Sequence, residues 1–392
     1  MTDFKVIISG AGPAGLAAAI LLAMDGVKTA VVAPASQSSD PRTVALMQPS
    51  MQFLKYAGLW TQEIESVSAP LKLLQIVDDT GNYVTAPDVT FTSTEAGLDA
   101  FGWNVPLAQL TPLMLKRAEA LGVLMIDDKS ESSEIYSDMT MLRTSKGQTL
   151  SAEVIIAADG SESPIRKSRN IKTTSWRFDQ SALVTTFSHT GPHNFMSTEY
   201  HKGAGAFTTV PLPDNRSSLV WMEKPAKAQA LHELSDVELA MEIQLETKGN
   251  LGRISEIGRR KLFPMKGERA DVFAKDRAIM LGEAAHSQPP LGAQGLNMSF
   301  RDAAQAADLI IGAADAGAPN IMAEYDKLRR VDVIPRQQMI SMVNMSLLSE
   351  FAAFGLLRAA GLAAVAKIPP LRSLAMAQGL APSSNLPFAM RG

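Results

Sequence analysis

Hydrophobic positions along the chain cluster into short β-branched runs, which alternate with glycine turns and with longer Ala/Leu-rich segments. The first run, Lys5–Ser9, precedes a glycine turn and an apolar segment from Leu16 to Met24. A β-branched run followed by a turn and a longer apolar segment is typical of a strand and a helix, and Val31–Val32 supplies the next strand. The start of the chain is therefore predicted to form a βαβ unit of an α/β protein.

Between residues 174 and 261 the pattern changes to β-rich runs separated by turn residues. The clearest runs are Leu183–Phe187, Ala206–Val210 and Leu219–Met222. This pattern predicts a mostly antiparallel sheet, to which a smaller insertion at residues 70–99 is expected to add strands. A helix over about residues 235–248 is expected to interrupt the sheet.

The last segment, residues 336–392, carries a broad apolar stripe at helical spacing. Its members are Met339, Ile340, Met342, Val343, Leu347, Leu348, Phe351, Phe354, Leu357 and Leu362. The stripe predicts a C-terminal helical tail that packs on the rest of the protein, binds other proteins or docks on a membrane surface. No uninterrupted apolar run reaches the roughly 18 residues that a membrane-spanning helix needs. A cytoplasmic protein is therefore expected, with peripheral attachment at the inner face of the membrane left open.

These patterns together predict a discontinuous Rossmann-like domain, an inserted and mostly antiparallel sheet domain, and a C-terminal helical tail. Residues 1–69, 100–173 and 262–335 are assigned to the Rossmann-like domain. Residues 70–99 and 174–261 are assigned to the inserted domain. A ligand pocket is expected between the two domains, because binding sites form preferentially where domains meet.

The composition excludes several classes of chemistry. The 392 residues include no Cys, so disulfides, thiolate metal sites and thiol nucleophiles are excluded. The five His residues lie at no metal-binding spacing, and no metal site is predicted. The net charge of −3, without a dense Lys/Arg run, gives no indication of nucleic-acid binding.

The turn after the first strand has the pattern GxGxxG, formed by Gly10, Gly12 and Gly15. The first glycine permits a tight turn, the second lets a pyrophosphate approach the backbone, and the third allows the helix to pack closely on the strand. The helix that follows, from Leu16 to Met24, offers free N–H groups at its N-terminus to phosphate oxygens. A dinucleotide is the expected ligand, although this motif alone does not separate FAD from NAD.

Two further strand-and-turn motifs follow along the chain. Val154–Ala158 is a strand that ends in the acidic turn formed by Asp159 and Gly160. Arg277–Leu281 is a strand that leads into Gly282 and then into a Pro- and Gly-rich segment ending at Asn297. The apolar spacing beyond that segment predicts a long helix, whose N-terminus would carry a partial positive charge.

With these three motifs, in this order, the chain resembles the flavoprotein aromatic hydroxylases related to p-hydroxybenzoate hydroxylase, and within them the UbiH/UbiF family of ubiquinone-biosynthesis hydroxylases. The resemblance spans nearly the whole chain, with family-like segments also at residues 42–46 and 211–216. It implies FAD as the bound cofactor and, because no second GxGxxG is present, NAD(P)H as a transient co-substrate. It further implies that O2 supplies the oxygen for hydroxylation of a hydrophobic polyprenyl-phenol intermediate of ubiquinone biosynthesis.

The motifs and the resemblance together assign site residues. The predicted FAD-binding residues are Gly10, Gly12, Ala14, Gly15, Arg42, Asp159, Gly282, Glu283, Gly295, Leu296 and Asn297. Arg42 is the candidate for a phosphate contact, with an ordinary loop salt bridge as the alternative. Pro290 and Gly292 are expected to shape the oxygen-reactive side of the pocket, and no acid or base is assigned. His286 is interpreted as a loop residue that packs locally.

The chain departs from the family pattern at three positions. Ala33 stands where the second strand should end in a ribose-binding acid, and Glu283 stands where the family usually has Asp. Leu107 aligns with the Arg, Gln or Asn that aromatic hydroxylases often place near the flavin. One lost charged hydrogen bond costs on the order of 1.5–3 kcal/mol, so FAD binding weaker than usual is predicted. Two alternative functions remain open. One is a non-catalytic assembly or scaffold protein; the other is a degradative hydroxylase of a small aromatic acid, which would need an Arg or Lys facing the pocket from the sheet.

Overall fold

The computed structural model describes residues 2–35, 40–81, 85–348, 352–376 and 386–391. Helices α1 to α11 have the bounds Pro13–Met24, Gln48–Tyr56, Gln62–Ser66, Leu107–Ala120, Pro164–Ser168, Pro225–Glu233, Asp236–Glu246, Gln294–Ile310, Pro319–Leu348, Ala352–Lys367 and Pro369–Ala375. Strands β1 to β20 have the bounds Phe4–Ser9, Thr29–Ala33, Thr43–Met47, Ala69–Leu71, Leu73–Asp78, Val89–Thr92, Gly102–Pro106, Leu124–Asp127, Ser130–Ile135, Thr140–Thr144, Thr149–Ala157, Thr173–His189, Met196–Lys202, Gly205–Leu212, Arg216–Glu223, Ile254–Ser255, Lys261–Ala270, Ala274–Lys275, Ala278–Met280 and His286–Ser287.

The first sheet has the main strand order β18-β19-β11-β1-β2-β8, and β10 and β9 extend it beside β11. β1 lies parallel to both neighbours, with Ile7 opposite Ala30 of β2 and Ile155 of β11. β-Branched side chains favour these strands because the sheet is buried on both faces. Leu16 and Ile20 of α1 are fully buried in the same core. The predicted βαβ unit and the α/β fold class are therefore confirmed.

The second sheet has nine strands, most of them antiparallel, in the main order β20-β17-β12-β15-β14-β13-β5-β6. On one face, which we call the outer face, Tyr200, Phe207 and Trp221 share a hydrophobic cluster with apolar residues of α6 and α7. The helix predicted near residues 235–248 is α7, which begins with a capping box of Ser235 and Glu238. The predicted inserted antiparallel sheet is thus present. A third, small sheet pairs β3, β7 and β4.

Two predicted domain boundaries fall inside continuous elements of secondary structure. β17 pairs with β12 in the second sheet over residues 261–270, although the predicted Rossmann-like segment starts at residue 262. The predicted start of the tail at residue 336 lies inside α9, which continues past Pro335 to Leu348. Long elements that pass from one unit into the next leave no break in the sequence pattern at the boundary. The division into domains remains a prediction.

The C-terminal helices lie against the second sheet on its other face, which we call the inner face. Ile340 and Leu347 of α9 share a cluster with Ala206 and Met222 of the sheet. Leu362 of α10 packs against a neighbouring cluster around β6. Three members of the predicted apolar stripe, Ile340, Leu347 and Leu362, therefore pack on the body of the protein.

Two other members of the stripe, Met339 and Met342, and several residues outside it remain on the surface. The exposed large apolar residues of α9, α10, α11 and the residue joining the last two are Val331, Met339, Met342, Met345, Leu356, Ile368, Leu371 and Leu374. The stripe positions Phe351, Phe354 and Leu357 lie outside the described side chains. In the part of the chain that the structure describes, no helix combines the length and apolar character needed to cross a membrane.

Candidate active site

The first two motifs meet at the carboxyl ends of β1 and β11. Gly10 has φ +107°, and a Cβ added there would lie 2.3 Å from the carbonyl oxygen of Ala158. The hydroxyl of Ser9 donates a hydrogen bond to Asp159 Oδ2 at 3.0 Å. Burial raises the pKa of Asp159, and the hydrogen bond from Ser9 acts against that rise. The glycine turn and the acidic turn therefore form one edge of the first sheet.

The third motif joins the same edge through Gly282. The Leu281 N–H donates to the Ala157 carbonyl at 2.8 Å, which sets the strand end beside β11. A Cβ added to Gly282 would lie 3.3 Å from the Cβ of Ala14 and 3.1 Å from the hydroxyl of Ser299. Gly282 also has φ +54°, which favours glycine. The fold thus brings the predicted cofactor residues of all three motifs together.

Two helix N-termini in this region have no capping side chain. α1 begins after Gly12, and α8 begins after Ala293, which adopts a left-handed φ of +56°. A Cβ added to Gly12, Gly292 or Gly295 would have no protein atom within 4 Å. Unpaired N–H groups beside open space form a site for negative charge, since both the terminal N–H groups and the helix dipole attract it. These features fit a pyrophosphate at α1 and the electron-rich pyrimidine edge of a flavin at α8.

A buried ionic network holds the third motif in place. Asp302 of α8 accepts hydrogen bonds from the Gly282 N–H at 3.0 Å, from Arg329 Nε at 2.7 Å, and pairs with His286 Nε2 at 2.7 Å. All three side chains are at most 3% exposed. Burial raises the pKa of Asp302, but its interactions with His286 and Arg329 outweigh burial and hold the pKa below the ordinary value. His286 therefore serves the packing of the loop, as the sequence indicates.

Arg166 connects the second motif to the third. Its guanidinium donates to the carbonyl oxygens of Ala284 at 2.8 Å and Ser161 at 2.5 Å. It also forms a buried ion pair with Glu268 of β17 at 3.0 Å. Because Glu268 belongs to the second sheet, Arg166 joins the cofactor edge to the inserted sheet.

Asn297 forms hydrogen bonds with distant segments that the sequence motifs do not predict. Its Oδ1 accepts hydrogen bonds from the Met47 N–H at 2.9 Å and the Ser50 hydroxyl at 2.7 Å, and its Nδ2 donates to the Ala45 carbonyl at 2.8 Å. The side chain thus fastens β3 and α2 to the start of α8. The predicted contact between Asn297, or its neighbour Leu296, and the flavin ring edge remains a prediction.

Arg42 lies at the edge of the site, where it forms a salt bridge with Asp40, the alternative to a phosphate contact given above. Its guanidinium donates to both oxygens of Asp40, at 2.9 and 3.0 Å from Nε, and lies 5.3 Å from the ring of Phe263. Burial lowers the pKa of Arg42, but the hydrogen bond and charge of Asp40 and the charge of Glu283 outweigh it and raise the pKa. Glu283 is exposed and its charge acts on Arg42. A phosphate contact by Arg42 remains a prediction.

The inner face of the second sheet carries a partly open strip. Side chains alternate between faces along a strand, so the residues next to buried Tyr200, Phe207 and Trp221 point inward. Five inward residues of β13, β14 and β15 are only partly buried, and we call them the inner strip: Ser197, Glu199, Thr208, Val210 and Val220. Partial exposure on a face that helices and a loop cover means that some space is left above these side chains, and we call this space the cavity.

The loop of the third motif covers this cavity. Leu291 packs in the cluster that includes Val220, and Ala293 packs in the cluster that includes Ile76 of β5. Ile76, Glu199, Thr208 and Val220 are successive Cα partners across four strands. Gly292, which borders open space, lies between Leu291 and Ala293, which places the loop on the inner face of the sheet beside the inner strip. A substrate ring held there would lie between the sheet and the loop of the cofactor site.

Comparison with known proteins agrees with this geometry. Residues 3–334 match the family described as the FAD binding domain. The chain belongs to this family. It is 28% identical over 383 residues to the ubiquinone hydroxylase UbiL of Rhodospirillum rubrum, covering 95% of this chain and 88% of UbiL. It is 26% identical over 335 residues to 3-demethoxyubiquinol 3-hydroxylase of Escherichia coli, covering 83% of this chain and 84% of that one. Its fold is similar to that of p-nitrophenol 4-monooxygenase PnpA of Pseudomonas putida, with a TM-score of 0.78 and 19% identity, covering 96% of this chain and 98% of PnpA.

These findings confirm the predicted cofactor, FAD, and the predicted class of enzyme, a FAD-dependent monooxygenase. They favour the ubiquinone-hydroxylase reading over the scaffold and degradative alternatives. When bound, FAD supplies the redox chemistry, accepting reducing equivalents from NAD(P)H and activating O2. The residues of this chain bind and orient the cofactor, shield the reacting atoms from water and hold the substrate.

One acidic side chain at the cofactor edge was missed by sequence reasoning. Ala33 ends β2, and its Cα partner on the neighbouring parallel strand β8 is Asp127. Asp127 is exposed, and its Oδ1 accepts a hydrogen bond from the Ala35 N–H at 2.8 Å. A carboxylate is therefore present beside the position where β2 lacks one. The pairing of β8 with β2, which places it there, cannot be read from the spacing of residues 33 and 127.

Proposed function

We propose that this protein hydroxylates an uncharged, prenylated phenol of ubiquinone biosynthesis, with FAD bound and with NAD(P)H and O2 as co-substrates. The relatives named above act on ubiquinone precursors, by their names, and the chain matches them over most of its length. The FAD edge supplies the redox chemistry, and the inner strip is the surface that holds the aromatic ring. Pro290 and Gly292, in the loop over the strip, are proposed to shape the side of the pocket where oxygen is transferred.

The proposed class of substrate is inferred from the side chains of the inner strip. None of its five residues is Lys or Arg, whereas an aromatic carboxylate buried in a pocket needs a cationic partner. Two cations at the edge of this face, Arg42 and Lys261, lie against the ring of Phe263, and Arg42 is paired with Asp40. A neutral phenol suits this lining and an aromatic acid does not.

The exposed apolar residues of the C-terminal helices favour peripheral docking on a membrane or on another biosynthetic protein. A prenyl chain of the proposed substrate resides in the lipid phase, so the enzyme has to meet it at a surface. Exposed Met and Leu side chains on α9 and α11 provide adaptable apolar contacts for that purpose. Vesicle binding, described in the Discussion, measures this part of the proposal.

The first experiment is to record the visible absorption spectrum of the purified protein before and after addition of FAD and removal of the excess. We expect a bound-flavin spectrum that persists after the removal. The holoenzyme is then given NAD(P)H with either a short-chain prenylated phenol or 4-hydroxybenzoate, and products are identified by mass spectrometry.

Each outcome of this pair of measurements selects one function. Addition of one oxygen to the prenylated phenol, with little product from the acid, supports the proposal. Preference for the acid would establish the degradative alternative. A protein that remains colourless after addition of FAD would exclude a hydroxylase and leave the scaffold role.

A further inference from the structure

A single carboxylate projects from the inner strip into the cavity. Glu199 lies in the row that runs from Ile76 through Thr208 to Val220, on the face of the sheet that the loop of Gly292 packs against. Its side chain is 19% exposed, so it is accessible from the cavity and yet largely removed from bulk water. The other four residues of the strip are uncharged. Glu199 is therefore the group on the strip that can exchange a proton with a bound substrate.

The neighbouring histidine holds this carboxylate in one orientation. His201 Nε2 lies 2.8 Å from Glu199 Oε1, and His201 is 4% exposed. Its Nδ1 is buried and has no hydrogen-bond partner among the described residues. An unpaired lone pair costs less in burial than an unpaired N–H, which favours the neutral tautomer that carries its proton on Nε2. His201 then donates to Oε1 and leaves Glu199 Oε2 without a hydrogen bond from any described residue.

We propose that Glu199 is the acceptor for the phenolic proton of the substrate and that His201 is its positioning residue. This inference rests on the proposed function and names the residue that recognises the phenol. Glu199 Oε2 accepts a hydrogen bond from the substrate hydroxyl and so fixes which edge of the ring faces the loop. No acid or base is assigned to this reaction by the sequence motifs.

Glu199 takes a proton from the substrate and later returns it. A ring carbon donates an electron pair to the transferred oxygen, and positive charge develops on the ring. The phenolic O–H becomes strongly acidic, its proton passes to Glu199 Oε2, and the phenolic C–O bond becomes a carbonyl. The new sp3 carbon then loses its proton as the ring regains aromaticity, and Glu199 returns its proton to the oxygen of the original hydroxyl. One atom of O2 enters the product and the other leaves as water. NAD(P)H supplies the two electrons, and the proton released from the sp3 carbon is taken up in forming that water.

The same carboxylate gives the pocket a preference. A negative charge in a largely desolvated cavity repels an aromatic carboxylate and accepts a hydrogen bond from a phenol. Glu199 therefore serves both activation of the substrate and rejection of aromatic acids. Asp78, the Cα partner of His201 on β5, is a second carboxylate nearby, but it accepts hydrogen bonds from Thr80 and from the Ala86 N–H.

The test compares holoenzymes carrying Glu199→Gln, His201→Leu, His201→Gln and, as a matched control, Tyr200→Phe, which alters the residue between them on the opposite face of the strand. Glu199→Gln keeps the size of the side chain and an amide oxygen that can accept from His201, but its NH2 group can neither accept a hydrogen bond from the phenol nor take a proton. We expect its kcat for a prenylated phenol to fall by about a hundredfold or more, with a smaller change in KM. Reduction of its flavin by NAD(P)H should be unchanged, and 4-hydroxybenzoate should bind more tightly than to the unaltered enzyme.

The two His201 variants distinguish a role of His201 in orienting Glu199 from a purely structural role in the sheet. His201→Leu removes the hydrogen-bond donor to Glu199 Oε1 and should lower kcat for the phenol while the FAD content stays unchanged, because the carboxylate is no longer held in one orientation. His201→Gln retains an N–H donor and should restore most of the lost kcat. Tyr200→Phe should behave as the unaltered enzyme.

Normal turnover of the phenol by Glu199→Gln, or an unchanged affinity for 4-hydroxybenzoate, would overturn this assignment. An unaltered enzyme that does not hydroxylate the phenol at all would instead reject the proposed function, so the two failures are distinguishable. Retention of the bound-flavin spectrum in each variant confirms that it is folded.

Discussion

At the scale of single residues, the site depends on groups whose partners lie far away in the sequence. Asp302 lies on α8 and contacts Gly282, His286 and Arg329, and each contact serves a different segment. The carboxylate thereby offsets the charge of a buried arginine and caps the turn of the third motif. Neither Asp302 nor Arg329 is marked by the motifs, because nothing in local spacing shows that a helix side chain faces a loop.

Asp302→Asn should destabilise the protein strongly. Removing one partner of a buried ion pair leaves an uncompensated charge, and such changes cost about 3–5 kcal/mol. The folded-state pKa of Asp302 is lowered, so its contribution to stability is present above the ordinary carboxyl pKa and is lost as pH falls through the folded value. Urea unfolding at several pH values measures both effects. A free energy of unfolding equal to that of the unaltered protein at neutral pH would contradict the role of Asp302 as the centre of this network.

Asp127→Asn should weaken FAD binding if this carboxylate substitutes for the acid missing at Ala33. Loss of one charged hydrogen bond corresponds to a rise in Kd of about tenfold or more. The hydrogen bond to the Ala35 N–H is kept by an amide oxygen, so the fold should be unaffected. Fluorescence titration of the apoprotein with FAD measures the change in Kd. The neighbouring substitution Asp128→Asn is not a suitable control, because Asp128 is buried. An unchanged Kd would show that the site functions without a ribose-binding acid.

At the scale of elements, the turn between β1 and α1 is defined by two different demands on glycine. Gly15 is needed for packing, since a Cβ there would lie 2.1 Å from the Gly10 carbonyl oxygen. Gly12 is needed for the ligand, since a Cβ there would meet no protein atom within 4 Å. The same motif therefore contains one residue that the fold requires and one that only the cofactor requires.

Gly12→Ala and Gly15→Ala should consequently fail in different ways. For Gly12→Ala we expect an unchanged Tm of the apoprotein and a Kd for FAD raised about tenfold or more, because the methyl group occupies space for the pyrophosphate. For Gly15→Ala we expect a lowered Tm even without FAD, because the helix must move away from the strand. Thermal unfolding of the apoproteins and FAD titration distinguish the two. Equal losses of Tm in both variants would contradict the division of roles.

At the scale of the whole molecule, the cavity exists only because three separate regions meet. The inserted sheet supplies the inner strip, the third motif supplies the loop above it, and α9 and α10 close the remaining sides. Some of the apolar residues left exposed, Met339, Met342, Met345 and Leu356, lie on the same helices that border this cavity. Docking of these helices on lipid, as proposed above, would bring a substrate with a prenyl chain to the pocket.

The protein should bind vesicles of phospholipid through these helices. We expect the holoenzyme to float with the vesicles in a density gradient, and the triple variant Ile368→Ser, Leu371→Ser, Leu374→Ser to remain in the dense fraction with its FAD content unchanged. The variant Val237→Ser, Met241→Ser, Leu245→Ser alters exposed apolar residues of α7 and is the matched control. Flotation of both variants to the same extent would reject lipid docking by the tail and leave protein docking to be tested.

The sequence by itself determined the βαβ start, the α/β class, the inserted antiparallel sheet and a dinucleotide site, and the family resemblance of its three motifs implied FAD. These depend on local signals: β-branched runs favour strands, and glycines at fixed spacing are required by a tight turn and a close phosphate. The amphipathic start of α7 was found for the same reason, since Ser235 and Glu238 cap it locally.

Only the tertiary structure decided which distant side chains share a site. Asp127 stands beside Ala33 because β8 pairs with β2, and Glu199 shares a face of the sheet with the loop of Gly292 because two clusters hold the residues on either side of Gly292 against that face. α9 also continues through the predicted boundary at residue 336, since its packing against the sheet outweighs the helix-breaking tendency of Pro335. Strand pairing and packing are long-range interactions, and their outcome depends on the free energy of the whole fold, which no local pattern contains.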